Sequence, residues 1–541
     1  MFRLSNMINY KSTKKVNMKK KTFITGALIL ILAGFISRII GFVFRIYLSN
    51  LIGAEGIGLY QLVVPVYTLI ILTLTSGVSV AVSKIIAEQV ALGNLINIKR
   101  ITRVSLVVVF MAGMGISLFM YLNIDFIVNY VLKDSRTYKS ILYMIPCIPF
   151  VAAACAIKGY FYGIQEVTPT AVSQVVEQLV KIAIIMGLAT FFLDAGLGAA
   201  CALATIGTAF GEMSNLLVLS VYYKYKKYPY IQPKSKQGLI QKRQLVKKVI
   251  SFSVPISINR FIISVLAAIE VILIPQRLLA GGLDYIHCME EFGKLTGMAM
   301  PLITFPALVT NSLSTTLVPA IAASISIKDY CKANFRISKS IQITMVLGFI
   351  FTALFACYPN EICDLIYPKQ NVGNTLLLLS WTCVLAYLQQ ILMSTLNGLG
   401  KQAMLLTNSL IGSSIRILCV YFLMPKYGLV SYIAAMVFSN LIVCILNFSV
   451  VMRCTGMALD IRRWLVLPGI VTVFMIWSGK YIYSALNFLG ISYAIHTLFA
   501  VAVFILAGLG LMMVVGVIDK KEILQIFGFK RKGSTQTVVK R

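Results

Sequence analysis

The sequence of 541 residues contains few charged side chains and almost no histidine. Only 12% of the residues are charged and 59% are hydrophobic, whereas a soluble domain carries about 25% charged residues. The two histidines, His287 and His496, lie far apart, and the eleven cysteines form no C-x-x-C pair. The composition therefore excludes a soluble globular protein, and the spacing predicts no metal site.

Motifs for nucleotide binding and catalysis are also missing. The sequence has no G-x-x-x-x-G-K-[ST] for ATP phosphates, no H-E-x-x-H for zinc, and no Asp-x-Asp for a metal-bound sugar nucleotide. No segment between the apolar runs is large enough for a polymerising active site. We therefore predict that the protein is not an enzyme and has neither catalytic residues nor a cofactor.

Basic residues are present in large excess. The formal net charge is +31, from 49 basic and 18 acidic residues, and most of the basic residues lie in short stretches between apolar runs. Lys and Arg accumulate in the cytoplasmic loops of membrane proteins and contact anionic lipids there. No basic, aromatic-interleaved motif for RNA occurs, so the charge predicts membrane lipids and not nucleic acid as partners.

The apolar runs are the main feature of the chain. They exceed about 18 residues and do not alternate with polar residues, which predicts transmembrane helices and not a β-barrel. The long first and eighth runs suggest tilt or an interfacial turn. Fourteen spans are predicted, numbered in chain order, at residues 22–49, 58–83, 101–122, 139–160, 170–193, 197–222, 247–275, 293–325, 338–358, 373–397, 403–424, 428–452, 464–487 and 490–517.

The loops alternate in charge. Basic loops occur near 84–103, 224–248, 326–340 and 453–463, and a basic tail follows residue 518. The alternate loops are poor in net positive charge. This alternation predicts an even number of spans in a multi-pass protein of the cell membrane, with both termini in the cytoplasm.

The first six spans and the next six form an internal repeat. "GIQEVTPTAVSQVVEQLVKI" (163–182) aligns with "GLGKQAMLLTNSLIGSSIRI" (398–417) at an offset of 235 in the numbering. Pro65 aligns with Pro301 at 236, "GLGAACAL" with "GLVSYIAA" at 232, and Arg38 with Arg260 at 222. Because six spans separate the copies, they have the same orientation and are related by an axis along the membrane normal.

The repeat predicts the organisation of the chain. We expect an all-α polytopic protein with two six-helix bundles related by a pseudo-two-fold axis, here called the N-half and the C-half, plus two extra C-terminal helices. The predicted units are a basic cytoplasmic tail (1–21), the N-half (22–223), a basic cytoplasmic linker (224–248), the C-half (249–452), spans 13 and 14 (464–517), and a second basic tail (518–541).

Five cations within predicted spans are candidate substrate-binding residues: Arg38, Arg45, Lys181, Arg260 and Arg416. A charge at the bilayer centre costs about 2.5–3.5 kcal/mol on insertion scales, so each needs a reason. Arg38 and Arg45 are seven residues apart and share one face of span 1. Arg38 and Arg260 are repeat equivalents, as are Lys181 and Arg416. These cations are predicted to surround a wet central cavity and to bind an anion, because guanidinium groups suit phosphate oxygens.

Alternative roles for these charges stay open. Arg45 lies toward the outer end of span 1 and could extend to the outer headgroups, whereas Arg38 could pair with Glu270 or Glu212. Glu177 lies four residues before Lys181 and could pair with it. These three embedded glutamates could instead balance the cations when substrate is absent, or bind a coupling cation.

The segment "SRIIGFVFRIYLSNLIGAEGIGLYQLVVPVYTLIILTLTSGVSVAVSKIIAE" (37–88) resembles the stage V sporulation protein B family of spore-forming Gram-positive bacteria. That group is similar to the polysaccharide exporters, lipid II flippases and multidrug/toxin extruders, and the resemblance implies a MATE-like fold and alternating access. Ser37, Arg38 and Gly41 match the flippase pattern S-R-x-x-G-x-x-R, whereas Arg45 lies one residue later than the pattern. The resemblance also implies that spans 13 and 14 form a groove for a lipid tail.

Together these features predict a flippase for an undecaprenyl-diphosphate-linked cell-wall precursor, and the resemblance implies a role in spore cortex peptidoglycan synthesis. Without an ATP motif, transport would be driven by the membrane potential or an ion gradient. Three alternatives stay open: a drug or cation antiporter of the same fold, a membrane enzyme, and a non-transporting scaffold for cell-wall synthases. An antiporter calls for acids in the cavity, and an enzyme calls for carboxylates and a sizeable outer loop.

Overall fold

The computed structural model describes residues 23–92, 95–225, 241–486 and 492–517. The predicted tails 1–21 and 518–541, and most of the predicted linker 224–248, lie outside these ranges. The described residues form helices and turns and include no strand. The long helices are Phe23–Ala91 (spans 1 and 2), Leu95–Leu122 (3), Tyr138–Met144 with Ile148–Gly163 (4), Thr168–Leu193 (5), Leu197–Tyr225 (6), Lys242–Ala280 (7), Met300–Thr304 with Ala307–Ser326 (8), Tyr330–Cys357 (9), Gly373–Ser380 with Cys383–Gly398 (10), Gln402–Tyr427 (11), Leu429–Thr455 (12), Leu467–Leu486 (13) and Tyr493–Val514 (14).

Short elements join or extend these spans. They lie mostly on the side of the membrane opposite the basic loops, which we call the far face; the side with the basic loops is the basic face. The short elements are Ile124–Phe126, Ile127–Leu132, Ser135–Thr137, Ile145–Cys147, Tyr285–Gly293, Lys294–Ala299, Pro359–Ile366 and Arg462–Val466.

Helix Phe23–Ala91 contains two spans. Its 69 residues would extend about 100 Å at 1.5 Å per residue, more than three times the hydrocarbon thickness of a bilayer. Gly53 breaks it with φ 70° and ψ −178°, a conformation that glycine adopts without steric cost. Dividing this first of twelve candidate membrane helices, and counting the bent pair Gly373–Ser380 and Cys383–Gly398, gives the fourteen predicted spans.

The internal repeat is visible in matched contacts. Gly163 lies against Ile86, and a Cβ on this glycine would be 2.8 Å from the Ile86 Cβ. Gly398 lies against Ile321 in the same way, at 3.0 Å. Gly398 lies 235 residues after Gly163, and Ile321 lies 235 residues after Ile86. The same helix contact is therefore built twice, which confirms the pseudo-two-fold relation of the two halves.

Spans 13 and 14 pack on span 9, in the C-half. The Tyr358 hydroxyl, which follows span 9, donates to the carbonyl oxygen of Gly479 at 2.7 Å. Phe504 of span 14 packs edge-on against the Tyr358 ring, with centroids 5.1 Å apart. The fold is thus two six-helix halves plus two helices attached to one of them, as the sequence predicts.

Three spans are interrupted within their predicted bounds. In span 4, predicted over 139–160, the short segment Ile145–Cys147 separates Tyr138–Met144 from Ile148–Gly163. Span 8, predicted over 293–325, is interrupted between Thr304 and Ala307 by Phe305 and Pro306, as a proline within the span favours. Span 10 was predicted as one helix over 373–397, but it bends by 52° at Trp381 and Thr382. The break in span 8 has a direct physical cause, since proline lacks the N–H needed to continue an α-helix.

Candidate functional site

Two glycines bring the halves together near the far face. A Cβ on Gly58 of span 2 would overlap the carbonyl oxygen of Met289, and a Cβ on Gly293 would overlap that of Ala54. Gly58 and Gly293 are related by the repeat offset of 235, and so are Ala54 and Met289. Gly58 packs on Met289 and Gly293 packs on Ala54, so the two contacts are repeat equivalents of each other. The pseudo-two-fold axis therefore passes between the two contacts.

Gln61 continues this contact one turn further along span 2. Its Nε2 donates to the carbonyl oxygen of Thr296 at 3.0 Å, again across an offset of 235. Thr296 lies in the π-helical segment Lys294–Ala299, whose turn holds more residues than an α-helical turn. This extra residue explains why the offset has become 236 at Pro65 and Pro301.

A matched pair of hydrogen bonds joins the halves at the far face. Asn50, at the end of span 1, donates from Nδ2 to the carbonyl oxygen of Ile366 at 2.9 Å. Gln276, near the end of span 7, donates from Nε2 to that of Val131 at 3.1 Å. Val131 and Ile366 are equivalent at the repeat offset of 235. Each half thus extends one amide to the far-face loop of the other.

An ionic cluster reinforces one of these two contacts. Tyr285 of the C-half donates its hydroxyl to Asp134 Oδ2 at 2.5 Å, and Asp134 also accepts from Arg136 Nη2 at 3.0 Å. Arg136 Nη1 lies 2.6 Å from Glu55 Oε1. Burial first, and then the Asp134 carboxylate, raise the pKa of Tyr285, so the hydroxyl stays protonated as a donor. We call these four residues the far-face latch.

Spans 2 and 7 are also in contact toward the basic face. A Cβ on Gly77 of span 2 would overlap the carbonyl oxygen of Ser253 in span 7. At the ends of these helices, Lys248 Nζ lies 2.8 Å from Glu88 Oε2. The pseudo-two-fold counterpart of this contact would be one between spans 8 and 1.

Span 8 is broken about two helical turns before Leu313, the repeat equivalent of Gly77 at the offset of 236. Helix Met300–Thr304 ends two residues before Ala307–Ser326 begins, and Pro306 lies between them. At the offset of 236 the N-half has Ile70 in place of Pro306, and span 2 is helical there. The two halves therefore differ at this point, and a cavity lies beside the broken span.

This cavity has a volume of about 470 Å³ and lies between spans 1, 8 and 10. Phe42 of span 1 packs on Phe305 in the break of span 8, with ring centroids 4.5 Å apart. Arg38 and Arg45 both line the cavity. The other lining residues are Gly41, Pro301, Ile303, Thr304, Ala307, Leu308, Asn311, Ala386, Tyr387 and Gln390. The volume is within the range of small-molecule sites, about 300–1,000 Å³.

A second cavity of about 190 Å³ extends from the first between spans 1 and 8. Arg38, Leu308 and Asn311 line both cavities, so they lie where the two meet. The remaining residues of the smaller cavity are on the basic-face side of Arg38: Leu30, Gly34, Phe35, Ser312 and Thr315. Together the cavities extend along span 1 from Leu30 to Arg45.

The two cavity arginines have no acidic partner. No carboxylate of the described residues lies within ion-pair distance of Arg38 or Arg45, and neither cavity is lined by an acid. The pairing of Arg38 with Glu270 or Glu212, which the sequence left open, is absent from this structure. The cavity therefore carries uncompensated positive charge.

Arg416 has a different environment from Arg38. Its Nε lies 2.9 Å from Glu270 Oε1, and its Nη1 donates to the Ser439 hydroxyl at 3.3 Å. Tyr432 also donates to Glu270 Oε1, at 3.2 Å. Arg416 and Glu270 thus form a hydrogen-bonded ion pair inside the C-half, away from both cavities.

The other two predicted cations lie outside the cavities as well. Lys181 Nζ is 5.3 Å from the ring centroid of Phe44, which precedes Arg45 on span 1, so Lys181 lies behind the cavity wall. Arg260 is exposed on span 7 and lines neither cavity. In this conformation the structure brings together Arg38 and Arg45 and keeps the other three apart from them.

Two of the predicted glutamates lie within the N-half. Glu177 Oε2 accepts from Asn215 Nδ2 at 2.6 Å, and Glu212 Oε1 accepts from the Tyr67 hydroxyl at 3.4 Å. Neither glutamate makes an ion pair with a cation of the described residues at 4 Å or less. Glu177 and Lys181, four residues apart, are therefore not paired here.

Several polar residues of the cavity were not predicted from the sequence. Thr304 and Asn311 come from span 8, and Tyr387 and Gln390 come from span 10. None belongs to a charged motif. Neutral polar residues within spans are common, so the sequence does not single these four out. The second proline of "PLITFP" (301–306) was the available signal, because it breaks the helix beside the cavity.

Comparison with known proteins agrees with this architecture. Residues 23–325, more than half of the chain, match the family described as "Polysaccharide biosynthesis protein". The chain belongs to that family. It is 30% identical over 458 residues to stage V sporulation protein B of Bacillus subtilis (strain 168), covering 84% of this chain and 88% of the relative. It is also 25% identical over 412 residues to the lipid II flippase MurJ of the same organism, covering 72% of this chain and 75% of that relative.

Solved structures with the same fold come from membrane transporters. An inward-facing multidrug resistance transporter of the MATE family has a TM-score of 0.60 at 15% identity, covering 80% of this chain and 98% of its own. A MOP superfamily transporter from Pyrococcus furiosus has a TM-score of 0.58 at 16% identity, covering 82% and 99%. This member of the polysaccharide biosynthesis family is thus a multi-pass membrane protein with a MATE-like fold.

Proposed function

We propose that this protein is a flippase for an undecaprenyl-diphosphate-linked cell-wall precursor, acting by alternating access. The observation that carries the proposal is the pair of arginines, Arg38 and Arg45, that face one cavity between the halves without an acidic partner. Arginine forms two parallel hydrogen bonds to phosphate. A diphosphate can therefore neutralise a cavity whose own residues leave it positive.

The shape of the path supports a lipid substrate. The large cavity is polar at Arg38, Arg45 and Gln390, and the smaller cavity extends between spans 1 and 8 toward the basic face. Apolar surface lies beside the charges in both cavities, from Phe42 and Phe305 in the larger one and from Leu30 and Phe35 in the smaller one. A molecule with an anionic head and an apolar tail fits this arrangement, with the tail leaving between spans 1 and 8 or along the predicted groove at spans 13 and 14.

The far-face contacts support alternating access. The halves are joined on that side by three contacts: Gly58 with Gly293, Asn50 with Ile366, and the far-face latch. The cavities, in contrast, extend toward the basic face. We propose that this is the loading state, with the basic face and both termini in the cytoplasm. The embedded glutamates Glu177 and Glu212 are proposed to take part in coupling to the membrane potential or an ion gradient.

The relatives' names support the cellular role. A protein named for stage V of sporulation and another named a lipid II flippase are both similar over most of this chain. We therefore propose that the substrate belongs to spore cortex peptidoglycan synthesis. The drug or cation antiporter is disfavoured, because an arginine-lined cavity without acids repels organic cations.

The test is a flipping assay in proteoliposomes with labelled lipid II, measured together with membrane abundance. Arg38→Ala and Arg45→Ala should each lower the flipping rate by about 10- to 100-fold, as expected for charge-assisted hydrogen bonds of about 1.5–3 kcal/mol. Abundance should stay normal, since no buried acid loses its partner. Arg38→Lys should retain part of the activity, because ammonium keeps the charge without the guanidinium geometry.

Arg453→Ala is the matched control, because Arg453 is exposed at the basic-face end of span 12 and should tolerate the change. Arg260→Ala tests the repeat equivalent of Arg38 and should have a smaller effect than Arg38→Ala. Normal flipping at normal abundance in Arg38→Ala and Arg45→Ala would refute the proposed substrate site.

A further inference from the structure

The large cavity contains more polar chemistry than a diphosphate requires. Asn311 of span 8 and Gln390 of span 10 both line it. No hydrogen bond joins either side-chain amide to another of the described residues. Thr304 also lines the cavity, and its hydroxyl donates to the carbonyl oxygen of Pro301 at 3.2 Å, so its lone pairs remain available as acceptors.

These neutral groups suit a different chemistry from that of the arginines. Phosphate oxygens accept hydrogen bonds, and the two guanidinium groups supply donors for them. Each side-chain amide offers both a donor pair and an acceptor oxygen. Sugar hydroxyls and acetamido groups also donate and accept, so they match amides and not a second pair of cations.

The positions of the amides divide the cavity. Arg38 and Asn311 lie where the two cavities meet, whereas Gln390 and Arg45 line only the larger one. A lipid tail that leaves past Leu30 and Phe35 on the basic-face side therefore has its diphosphate near Arg38. The group attached to the other end of the diphosphate then lies deeper, beside Gln390.

We propose that Asn311 and Gln390 are specificity-determining residues that recognise a neutral sugar attached directly to the diphosphate. This proposal rests on the proposed function and narrows its substrate class. The site should favour a polyprenyl diphosphate that carries a sugar over a bare polyprenyl diphosphate, because a bare lipid leaves both amides without partners other than water.

The experiment measures binding of two lipids to the purified full-length protein in nanodiscs. One lipid is a polyprenyl diphosphate, and the other is the same lipid with one N-acetylated sugar. The wild-type protein should bind the sugar-bearing lipid at least tenfold more tightly. Asn311→Leu and Gln390→Met keep the side-chain size but remove the hydrogen-bonding groups, and together they should reduce this preference to less than threefold.

The bare lipid serves as the folding control for Gln390→Met alone, which should bind it with wild-type affinity because Gln390 lines only the larger cavity. Asn397→Leu is the matched amide control, because Asn397 is exposed on the same helix as Gln390 and lines neither cavity; its preference should equal that of the wild type. Arg38→Ala should weaken binding of both lipids.

The outcomes separate this proposal from the proposed function. Equal binding of the two lipids by the wild-type protein, or an unchanged preference in the double variant, would overturn the role of the amides while leaving the diphosphate site intact. Binding of neither lipid by the wild type would overturn the proposed function itself.

Discussion

We predict that the far-face latch limits how readily the proposed transporter opens on that side, and Tyr285→Phe tests this most directly. Phenylalanine keeps the ring but removes the hydroxyl that donates to Asp134 Oδ2 at 2.5 Å. The substitution leaves Asp134 bonded to Arg136, whose Nη2 lies 3.0 Å away. It therefore removes one contact between the halves without leaving a buried carboxylate unpaired.

The expected size of the effect follows from this geometry. A hydrogen bond to a charged group contributes about 1.5–3 kcal/mol. The Asp134 side chain is only 3% exposed, but that of Arg136 is 32% exposed, so the network is partly screened by water. Because of this screening we expect about 1–2 kcal/mol, at or just below the lower limit of that range, which corresponds to a rise of about 5- to 30-fold in the population open to the far face.

The assay is labelling of a cysteine placed inside the cavity, Ala307→Cys, by a membrane-impermeant thiol reagent applied from the far face. The initial labelling rate reports the population that exposes the cavity on that side. Tyr285→Phe should raise this rate by about 5- to 30-fold if opening is governed by the free energy above. Tyr493→Phe is the control, because Tyr493 donates to the Glu361 carbonyl oxygen at 3.4 Å without joining the N-half to the C-half. An unchanged labelling rate in Tyr285→Phe would refute the latch.

Two further predictions concern an embedded ion pair and the topology. Arg416→Ala should lower membrane abundance, since removing one partner of a buried pair costs about 3–5 kcal/mol, and Glu270→Gln in the same chain should restore abundance; an abundant Arg416→Ala protein would contradict this structural role. Cys331 is the exposed cysteine among the eleven and begins span 9 at the basic face. An impermeant thiol reagent should therefore label it in inside-out vesicles and not in intact cells, with Lys369→Cys at the far face giving the opposite pattern; reversed labelling would exclude cytoplasmic termini.

The sequence by itself determined the class of protein, the number of spans and the internal repeat. The class and the number of spans depend on local composition, and the repeat depends on similarity between two segments of the chain. Composition is informative here because a membrane span must be long and apolar. The repeat offset of 235 was enough to predict that equivalent helices pack alike, as Gly163 with Ile86 and Gly398 with Ile321 do. The importance of Arg38 and Arg45 was also visible, because charges in an apolar run are rare.

The tertiary structure decided which embedded charges share a site. The repeat alone assigned Arg38, Arg260, Lys181 and Arg416 to one cavity, yet Arg416 is paired with Glu270 at 2.9 Å and Arg260 lines neither cavity. The physical reason is that the halves are not identical where they meet. A proline at 306, where the N-half has Ile70, breaks span 8 beside the cavity that Arg38 and Arg45 line. A repeat predicts equivalent positions, but the partners of each side chain depend on contacts between elements that are distant in sequence.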